Sequence, residues 1–449
     1  MIRLSTNTLK YILMLLVTAG FLHAQEAQSF SLEEAKEYAK KNNYDVQKAK
    51  LAIGIANKQK WQVTATGFPQ VSFNIQYNRL LDIPVTLIPA QFFGGDSGKY
   101  IAAKFALPHN ASFGFTITQL IFNGSYIVGL QASRTYSELS EQAFEKTKLD
   151  AGESIAQTYF LILLAEENKK ILSTSLENIT KTYDEIKEMN KEGFVEATDV
   201  SQMQISVNQL KTQLNSVGEQ IDVAYKMLKL QMGIEINEPM TLTDNLATLL
   251  AESSIDKSLK TNFNVEENIG FKILLTQERL ADLSLRNEYS KFLPTISAFA
   301  TIEKNAIRKE FNFFDTDQPW YKSTIVGLQL SWPIFSGGQK IFNIQKAELE
   351  LEQAEIDRRK AEQGLQLQFT QARSALRTAY DSYQNAQENK QLAHEVYEIN
   401  LDKYKEGIIT SLDLVQAHNQ YLQAESAYLM SASQLLTART TLDKLLNEI

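Results

Sequence analysis

Residues 112–124 (SFGFTITQLIFNG) and residues 326–337 (VGLQLSWPIFSG) carry the pattern that decides the fold of this chain. In both stretches apolar and polar residues alternate before an Ile-Phe-x-Gly turn, as in a β-strand with one apolar and one polar face. After each turn the apolar residues recur at helical spacing, without a proline, from residue 125 to 192 and from 338 to 406. At 1.5 Å per residue such a helix is about 100 Å long, which no compact globule holds. The sequence therefore predicts amphipathic strands joined to very long helices.

The chain repeats itself, because residues 29–231 recur in outline as residues 263–445. The Ile-Phe-x-Gly turns lie 213 residues apart, and Lys-Glu-Gly recurs after 214 residues, ending at Gly193 and at Gly407. Each half has the pattern of a helix, a strand, a loop, a strand, a very long helix and a return helix. The first helices are predicted at residues 31–61 and 265–290, and the four strands after Pro69, at 112–118, after Pro294 and at 326–332.

The return helices contain apolar residues in steps of three and four, as a coiled-coil seam requires. In the first half this seam consists of Val200, Met203, Val207, Leu210, Leu214, Val217, Ile221, Ala224 and Leu228. Adding 214 to each number gives Leu414, Ala417, Tyr421, Ala424, Tyr428, Ser431, Leu435, Ala438 and Leu442. The seam is therefore duplicated, and it indicates helix packing rather than a cofactor site.

The amino terminus has the form of a signal peptide, with Arg3 and Lys10 before or beside the apolar stretch 11–21. That stretch is shorter than the ~20 residues needed to cross a bilayer as a helix, so we expect it to be removed. The predicted division of the chain is a signal peptide, a first structural repeat, a linker and a second structural repeat, at residues 1–24, 25–231, 232–262 and 263–449.

Composition excludes several classes of function. There is no cysteine, which excludes disulfides, thiolate metal sites and cysteine nucleophiles, and the four histidines are scattered. The net charge is -8 and no basic run is present, so nucleic acid is not an expected partner. The sequence contains no metal-binding motif and no phosphate-binding loop that would support a hydrolase with paired carboxylates. We therefore predict that the protein is not an enzyme and uses no cofactor and no metal.

Strands with one apolar and one polar face fit a sheet between lipid and water. A sheet in lipid tolerates no open edge, and four strands cannot close because the smallest barrels have about eight. The chain must then associate, and two copies give eight strands whereas three give twelve. Periodicity alone does not choose between dimer and trimer, although the polar face favours a water-filled lumen.

Two such units behind a signal peptide resemble the outer membrane efflux protein family, the TolC-like outer membrane channels. The resemblance covers essentially the whole mature chain and rests on the duplicated turns and tip glycines in register. It implies a mixed α and β membrane protein, a homotrimer whose β-barrel in outer membrane lipid continues into a periplasmic tunnel of coiled-coil helices. The implied function is the passive exit duct of a tripartite efflux or type I secretion system, with a periplasmic adaptor and an energised inner-membrane transporter as partners. Drug, metal and protein cargo all remain open.

The resemblance also assigns site residues, at the end of the long helices that lies away from the membrane. It implies tips that dock the adaptor, formed by Gly193, Phe194, Gly407 and Ile408. It implies a closed aperture just beyond them, formed by Thr198, Asp199, Tyr404 and Asp413. In three copies the two aspartates would form a ring of like charge that attracts cations.

The aperture residues also have an ordinary structural interpretation. Asp199 and Asp413 lie in the first turn of a helix, where exposed amides favour a carboxylate. Thr410 and Asp413 have the spacing of a capping box, and Tyr404 fits a buried seam position. Both interpretations remain open at this stage.

Two departures from the family pattern affect the aperture. The arginine expected two residues after the second tip glycine is Ile409, and the second acidic residue three beyond Asp413 is Gln416. We therefore expect the closed state to be held differently here. The alternative function is an exported structural coiled-coil scaffold without channel activity, whose strands form a small soluble sheet. The alternating strands in both halves count against that alternative.

Overall fold

The computed structural model describes residues 28–251 and 255–449, so the predicted signal peptide at 1–24 lies outside the described residues. The chain forms two compact units, each assembled from separate stretches. The first unit comprises the residues up to 52, 141–273 and 358–449, and the second comprises 53–140 and 274–357.

The helices and strands follow the predicted order. The elements up to the first return helix are β1 (Gln28–Phe30), α1 (Leu32–Asn42), α2 (Tyr44–Ala65), β2 (Gln70–Arg79), β3 (Thr86–Pro89), β4 (Tyr100–Ala103), β5 (His109–Phe122), α3 (Gly124–Lys191) and α4 (Ala197–Met232). The remaining elements are β6 (Met240–Leu242), α5 (Leu246–Ala251), α6 (Ile255–Lys260), α7 (Ile269–Ser290), β7 (Thr295–Arg308), β8 (Tyr321–Ser331), α8 (Gln339–Lys405) and α9 (Ser411–Leu445). The 68 residues of α3 and the 67 of α8 confirm the two predicted very long helices.

The four predicted strands form one antiparallel sheet in the second unit, in the order β2-β5-β7-β8. Strand β5 is longer than the predicted 112–118, and β8 ends at Ser331 rather than at Trp332. Trp332 precedes Pro333, which has no amide hydrogen to donate and restricts the residue before it.

The register of this sheet separates two faces, because directly opposed residues project to the same side. One row joins Val71, Ile117, Ala300 and Val326, and the next joins Phe73, Phe115, Ile302 and Thr324. The opposite face carries rows such as Ser72, Thr116 and Thr301, or Gln76, Ser112 and Asn305. The apolar face is uncovered in the single chain, with Val71 64% and Val326 77% exposed.

Two further pairs of strands were not predicted. Strands β3 and β4 form an antiparallel hairpin within the 79–111 loop, and β1 pairs in parallel with β6. The Leu80 amide donates to the Pro108 carbonyl oxygen, at 2.7 Å, and so extends the β2–β5 pairing toward this hairpin. The predicted long loop therefore has structure of its own.

The single helix predicted at residues 31–61 is wrong, since the structure has two helices that meet at Asn43. The Asn43 side-chain oxygen accepts from the amides of Asp45 and Val46, at 2.8 and 3.1 Å. Its side-chain amide donates to the Gln231 carbonyl oxygen, at 2.6 Å. These bonds to nearby amides offer the backbone an alternative to helix continuation. The second predicted helix, at 265–290, begins at Ile269 after a short 3-10 turn.

The core of the first unit lies around the return helices and confirms the duplicated seam. On α4 the buried seam residues are Met203, Val207, Leu210, Val217, Ala224 and Leu228. On α9 they are Leu414, Ala417, Ser431, Leu435 and Leu442. The other seam residues are half-buried, so every predicted seam position faces the protein interior at least in part. Among the helices of the described residues, none is both long enough and apolar enough to cross a membrane.

Candidate functional site

The two helical tips have the same backbone geometry. Gly193 and Gly407 adopt positive φ angles of 82° and 72°, a conformation in which glycine has no Cβ penalty. At the first tip the Phe194 amide donates to the Met189 carbonyl oxygen, at 2.9 Å. At the second tip the Ile408 amide donates to the Lys403 carbonyl oxygen, also at 2.9 Å. Both are Schellman turns, which satisfy the last carbonyl groups of the long helices.

Each tip presents a large apolar side chain to solvent. Phe194 is 77% exposed and Ile408 is 68% exposed, and both directly follow the tip glycines. Exposed apolar side chains on a turn are a common feature of protein contact surfaces when they cluster. The four residues expected to dock a partner therefore lie at the ends of two equivalent turns.

The return helices begin with capping boxes. At α9 the Thr410 hydroxyl and amide donate to one Asp413 carboxylate oxygen, at 2.7 and 3.0 Å, and the Asp413 amide donates back to the hydroxyl, at 3.3 Å. These hydrogen bonds hold the pKa of the Asp413 carboxyl below its usual value. At α4 the Glu196 amide donates to Asp199 Oδ2, at 3.2 Å. The structural interpretation of both aspartates is therefore present in the fold.

Asp199 has a second partner, which joins the two tips. The Ser411 hydroxyl donates to Asp199 Oδ1, and it lies 3.5 Å from Gln202 Oε1. Ser411 is only 3% exposed, and it is the first residue of α9, whereas Asp199 lies in the first turn of α4. One carboxylate thus caps its own helix with one oxygen and binds the other return helix with the second. Ser411 was not among the predicted site residues, since no local pattern marks a residue 212 positions away as a partner.

Tyr404 lies beside this link without joining it. Its hydroxyl oxygen is buried and has no hydrogen-bond partner among the described residues. Burial, followed by the nearby carboxylates of Asp199 and Glu185, raises the pKa of Tyr404 to about 12. The ring packs against the buried cluster of Ile186, Met203, Tyr397 and Leu414. Tyr404 therefore packs against the helix core at the second tip, and its hydroxyl lies close enough to Asp199 to be affected by its charge.

The structure brings only some of the predicted aperture residues together. Asp199 and Tyr404 are neighbours, and Ser411 completes the group. Thr198 is exposed and its hydroxyl donates to Glu196 Oε2, at 3.1 Å, while Asp413 is exposed at the start of the other helix. Within one chain the two aspartates therefore have different surroundings.

A buried polar pair lies farther along the return helix. His418 Nε2 is 2.9 Å from the Ser175 hydroxyl, and both side chains are almost fully buried. Burial lowers the pKa of His418 to about 4, so the imidazole is neutral at pH 7. Its ring lies beside Tyr397, with centroids 5.2 Å apart. This pair joins α3 to α9, and neither side chain is accessible to a substrate from solvent.

Other chemistry is not favoured by the described part of the chain. No group of three or more histidine, aspartate or glutamate residues in it is placed to hold a metal ion. The features that remain are an uncovered apolar face, strands β2 and β8 with one unpaired edge each within the chain, and two exposed tips. Edges and apolar surfaces of this kind are typical of proteins in which other molecules cover them.

The chain belongs to the outer membrane efflux protein family, because the sequence model of that family matches residues 37–233 and 277–448. The two matched stretches overlap most of the two predicted repeats, and residues 234–276 lie between them outside the match. No curated protein matches the chain by sequence search.

Solved structures share the fold at low sequence identity. The CmeC outer membrane channel of Campylobacter jejuni is 18% identical and superposes with a TM-score of 0.72, over 93% of this chain and 85% of that one. The outer membrane protein VceC of Vibrio cholerae is 15% identical, with a TM-score of 0.70 over 93% of this chain and 96% of that one. The MtrE outer membrane channel of Neisseria gonorrhoeae, in its open state, is 16% identical, with a TM-score of 0.71 over 93% and 88%. The fold of this chain is that of TolC-like channels.

Proposed function

We propose that this protein is the outer membrane exit duct of a tripartite efflux or type I secretion system, acting as a homotrimer. The observation that carries the proposal is the incomplete sheet: four strands with an uncovered apolar face and an unpaired edge on β2 and on β8. Edges of this kind cannot stay open in lipid. Pairing β8 of one copy with β2 of the next keeps the antiparallel alternation and closes twelve strands in three copies.

The two faces of the sheet support a conduit rather than a filled core. Side chains such as Ser72, Asn74 and Thr116 would line an aqueous lumen, while Val71 and Val326 would face lipid. Family membership supports transport as the role of that lumen. The duct itself would be passive and non-catalytic, and the energy would come from an inner-membrane transporter.

We assign adaptor docking to the two tips. Phe194 and Ile408 are exposed apolar anchors on rigid turns, and Gly193 and Gly407 fix their direction. Apolar side chains of this kind contribute to binding when a partner covers them and excludes water. A periplasmic adaptor protein is the partner that an exit duct requires at this end.

We assign the aperture to Thr198, Asp199, Tyr404 and Asp413, and the structure supports adding Ser411 to this group. Position 409 is an isoleucine, so no arginine is available there to bind an aspartate. The hydrogen bond between Ser411 and Asp199 instead joins the two return helices within one chain. A resting duct would be held closed in part by this link.

The docking proposal is tested by placing one cysteine at the second tip, since the chain has none of its own. The Ile408→Cys variant is labelled in living cells with a short thiol-reactive photo-crosslinker, and captured proteins are identified by mass spectrometry. Asp96→Cys, at an exposed site in the 79–111 loop, is the matched control. Capture of an adaptor by the Ile408 variant alone supports the duct. Labelled, assembled protein that captures only itself at both sites contradicts adaptor docking and favours the scaffold alternative.

A further inference from the structure

Two lysines oppose each other on the apolar face of the sheet. Lys304 of β7 is the register partner of Lys322 of β8, and on its other side Lys304 is opposite Phe113, which is opposite Ile75. All four side chains therefore project to the same face. Both lysines are exposed, and neither forms an ion pair with any described residue. Like charges directly opposite each other destabilise a sheet, so an anion outside the chain would relieve a real cost.

The lysine pair and Trp332 lie at opposite ends of β8 and its extension. Trp332, 59% exposed, follows Lys322 by ten residues along β8 and its extension. Ten residues correspond to about 33 Å of strand, or about 25 Å perpendicular to the membrane at a tilt of ~40°. That distance equals the height of the apolar band of a membrane-spanning sheet. The lysine pair therefore lies at one edge of the band and Trp332 at the other.

Aromatic side chains cover the same end of the sheet as the lysines. The ring of Trp320 packs edge-on against Phe113, with centroids 4.8 Å apart, and lies tilted against Phe313, with centroids 5.9 Å apart. Phe311 packs edge-on against Tyr77, with centroids 5.3 Å apart. Aromatic rings of this kind are enriched at the level of lipid headgroups.

The next row toward the opposite edge is uncovered and is apolar except for Thr324. Phe73 is 52% exposed, Phe115 51% and Ile302 43%, and they are mutual register partners directly beside the lysine row. Acyl chains would contact this row while a headgroup lies at the lysines. The loops at the lysine end connect strands to each other, whereas the opposite ends lead into the helices. In the proposed duct the lysine end therefore faces the cell exterior.

We propose that Lys304 and Lys322 bind the phosphate group of a lipid in the outer leaflet of the outer membrane. The inference rests on the proposed function, because it needs the sheet to be in the membrane with its strand-to-strand loops outside. A phosphate carries enough negative charge to neutralise both ammonium groups, and its acyl chains match the apolar row below. Lipid A, a phosphorylated glycolipid, is the probe with this chemistry.

The test is native mass spectrometry of the detergent-purified full-length oligomer titrated with lipid A. The Lys304→Gln/Lys322→Gln variant should bind lipid A about 25-fold more weakly than the wild type, since a direct ion pair between an exposed lysine and the phosphate contributes up to about fivefold for each lysine. The Lys304→Arg/Lys322→Arg variant should bind as the wild type does. The matched control is Lys104→Gln/Lys309→Gln, which removes the same charge from two exposed loop lysines at the same end. It should bind normally.

Several results would overturn the proposal. These are equal lipid A binding by the two glutamine variants, no binding by the wild type, or lysine-dependent binding of phosphatidylglycerol in preference to lipid A. If the double variant does not assemble, Lys322→Gln on the edge strand replaces it, with an expected loss of about fivefold. Conductance of the wild-type oligomer in planar bilayers separates the two levels. Pores without lipid A binding refute only this site, whereas the absence of both pores and membrane association refutes the proposed function.

Discussion

Replacing Ser411 by alanine tests how the two return helices are held together. The change removes one hydroxyl, which is buried and donates to Asp199 Oδ1. The other Asp199 oxygen keeps its bond to the Glu196 amide, so the start of α4 is left intact. A hydrogen bond to a charged group contributes about 1.5–3 kcal/mol. We therefore expect the equilibrium between joined and separated tips to shift toward separation by about 10- to 150-fold in each chain.

Single-channel recording in planar bilayers measures this shift as an increased open fraction at fixed voltage and salt concentration. Ser201→Ala is the matched control, because the Ser201 hydroxyl donates only to the Ala197 carbonyl oxygen of its own helix, at 3.0 Å. That variant should behave as the wild type does. The free energy of unfolding is measured for both variants, so that a general loss of stability is recognised.

A closing role for the bond between Ser411 and Asp199 is refuted if Ser411→Ala and Ser201→Ala have the same open fraction while both remain assembled. A Ser411→Thr variant, which keeps the hydroxyl, should restore most of the wild-type closed fraction. If it opens as widely as the alanine variant, packing at this position matters and the hydrogen bond does not.

Three further predictions concern stability. In denaturant titrations, Gly193→Ala and Gly407→Ala should each lower the free energy of unfolding by about 1–2 kcal/mol, because the φ angles of both glycines are positive. As the control, Gly218→Ala should raise the free energy of unfolding by up to about 1 kcal/mol, because Gly218 lies inside α4 with open space around it. The pKa of His418 in the folded chain, about 4, lies below its ordinary value, so the unfolded chain binds a proton more readily than the folded one. The free energy of unfolding should therefore fall by about 3 kcal/mol as the pH falls from about 6.5 to 4. The His418→Gln variant should lose this pH dependence. Tyr404→Phe removes a buried hydroxyl without a partner, so thermal unfolding should occur at the same or a higher temperature; a lower one would indicate a hidden partner.

Local periodicity allowed much of the architecture to be predicted. The alternation around Phe113 and Val326 identified two of the four sheet strands, and the steps of three and four from Met203 to Leu228 identified the seam. The capping box of Thr410 and Asp413 also followed from spacing alone. Each of these features depends on residues within one or two turns of each other, where the backbone geometry repeats.

Prediction failed where a distant residue decided the outcome. The break at Asn43 depends partly on a carbonyl group 188 residues away, and no local signal distinguishes this asparagine from one inside a helix. The hairpin in the 79–111 loop was missed because its two strands, at 86–89 and 100–103, are only four residues each. Such short runs lack enough alternation to identify a strand.

The amino-acid sequence by itself determined the element types, the internal duplication and the apolar and polar faces, because these follow from the period of side chains along a helix or strand. Only the tertiary structure decided the strand order, the opposition of Lys304 and Lys322, and the two partners of Asp199. The resemblance to the family assigned Asp199 to the site, but its bond to Ser411 exists because folding brings two helix starts together. Contacts between distant parts of a chain are set by how whole elements pack, and periodicity within each element does not specify them.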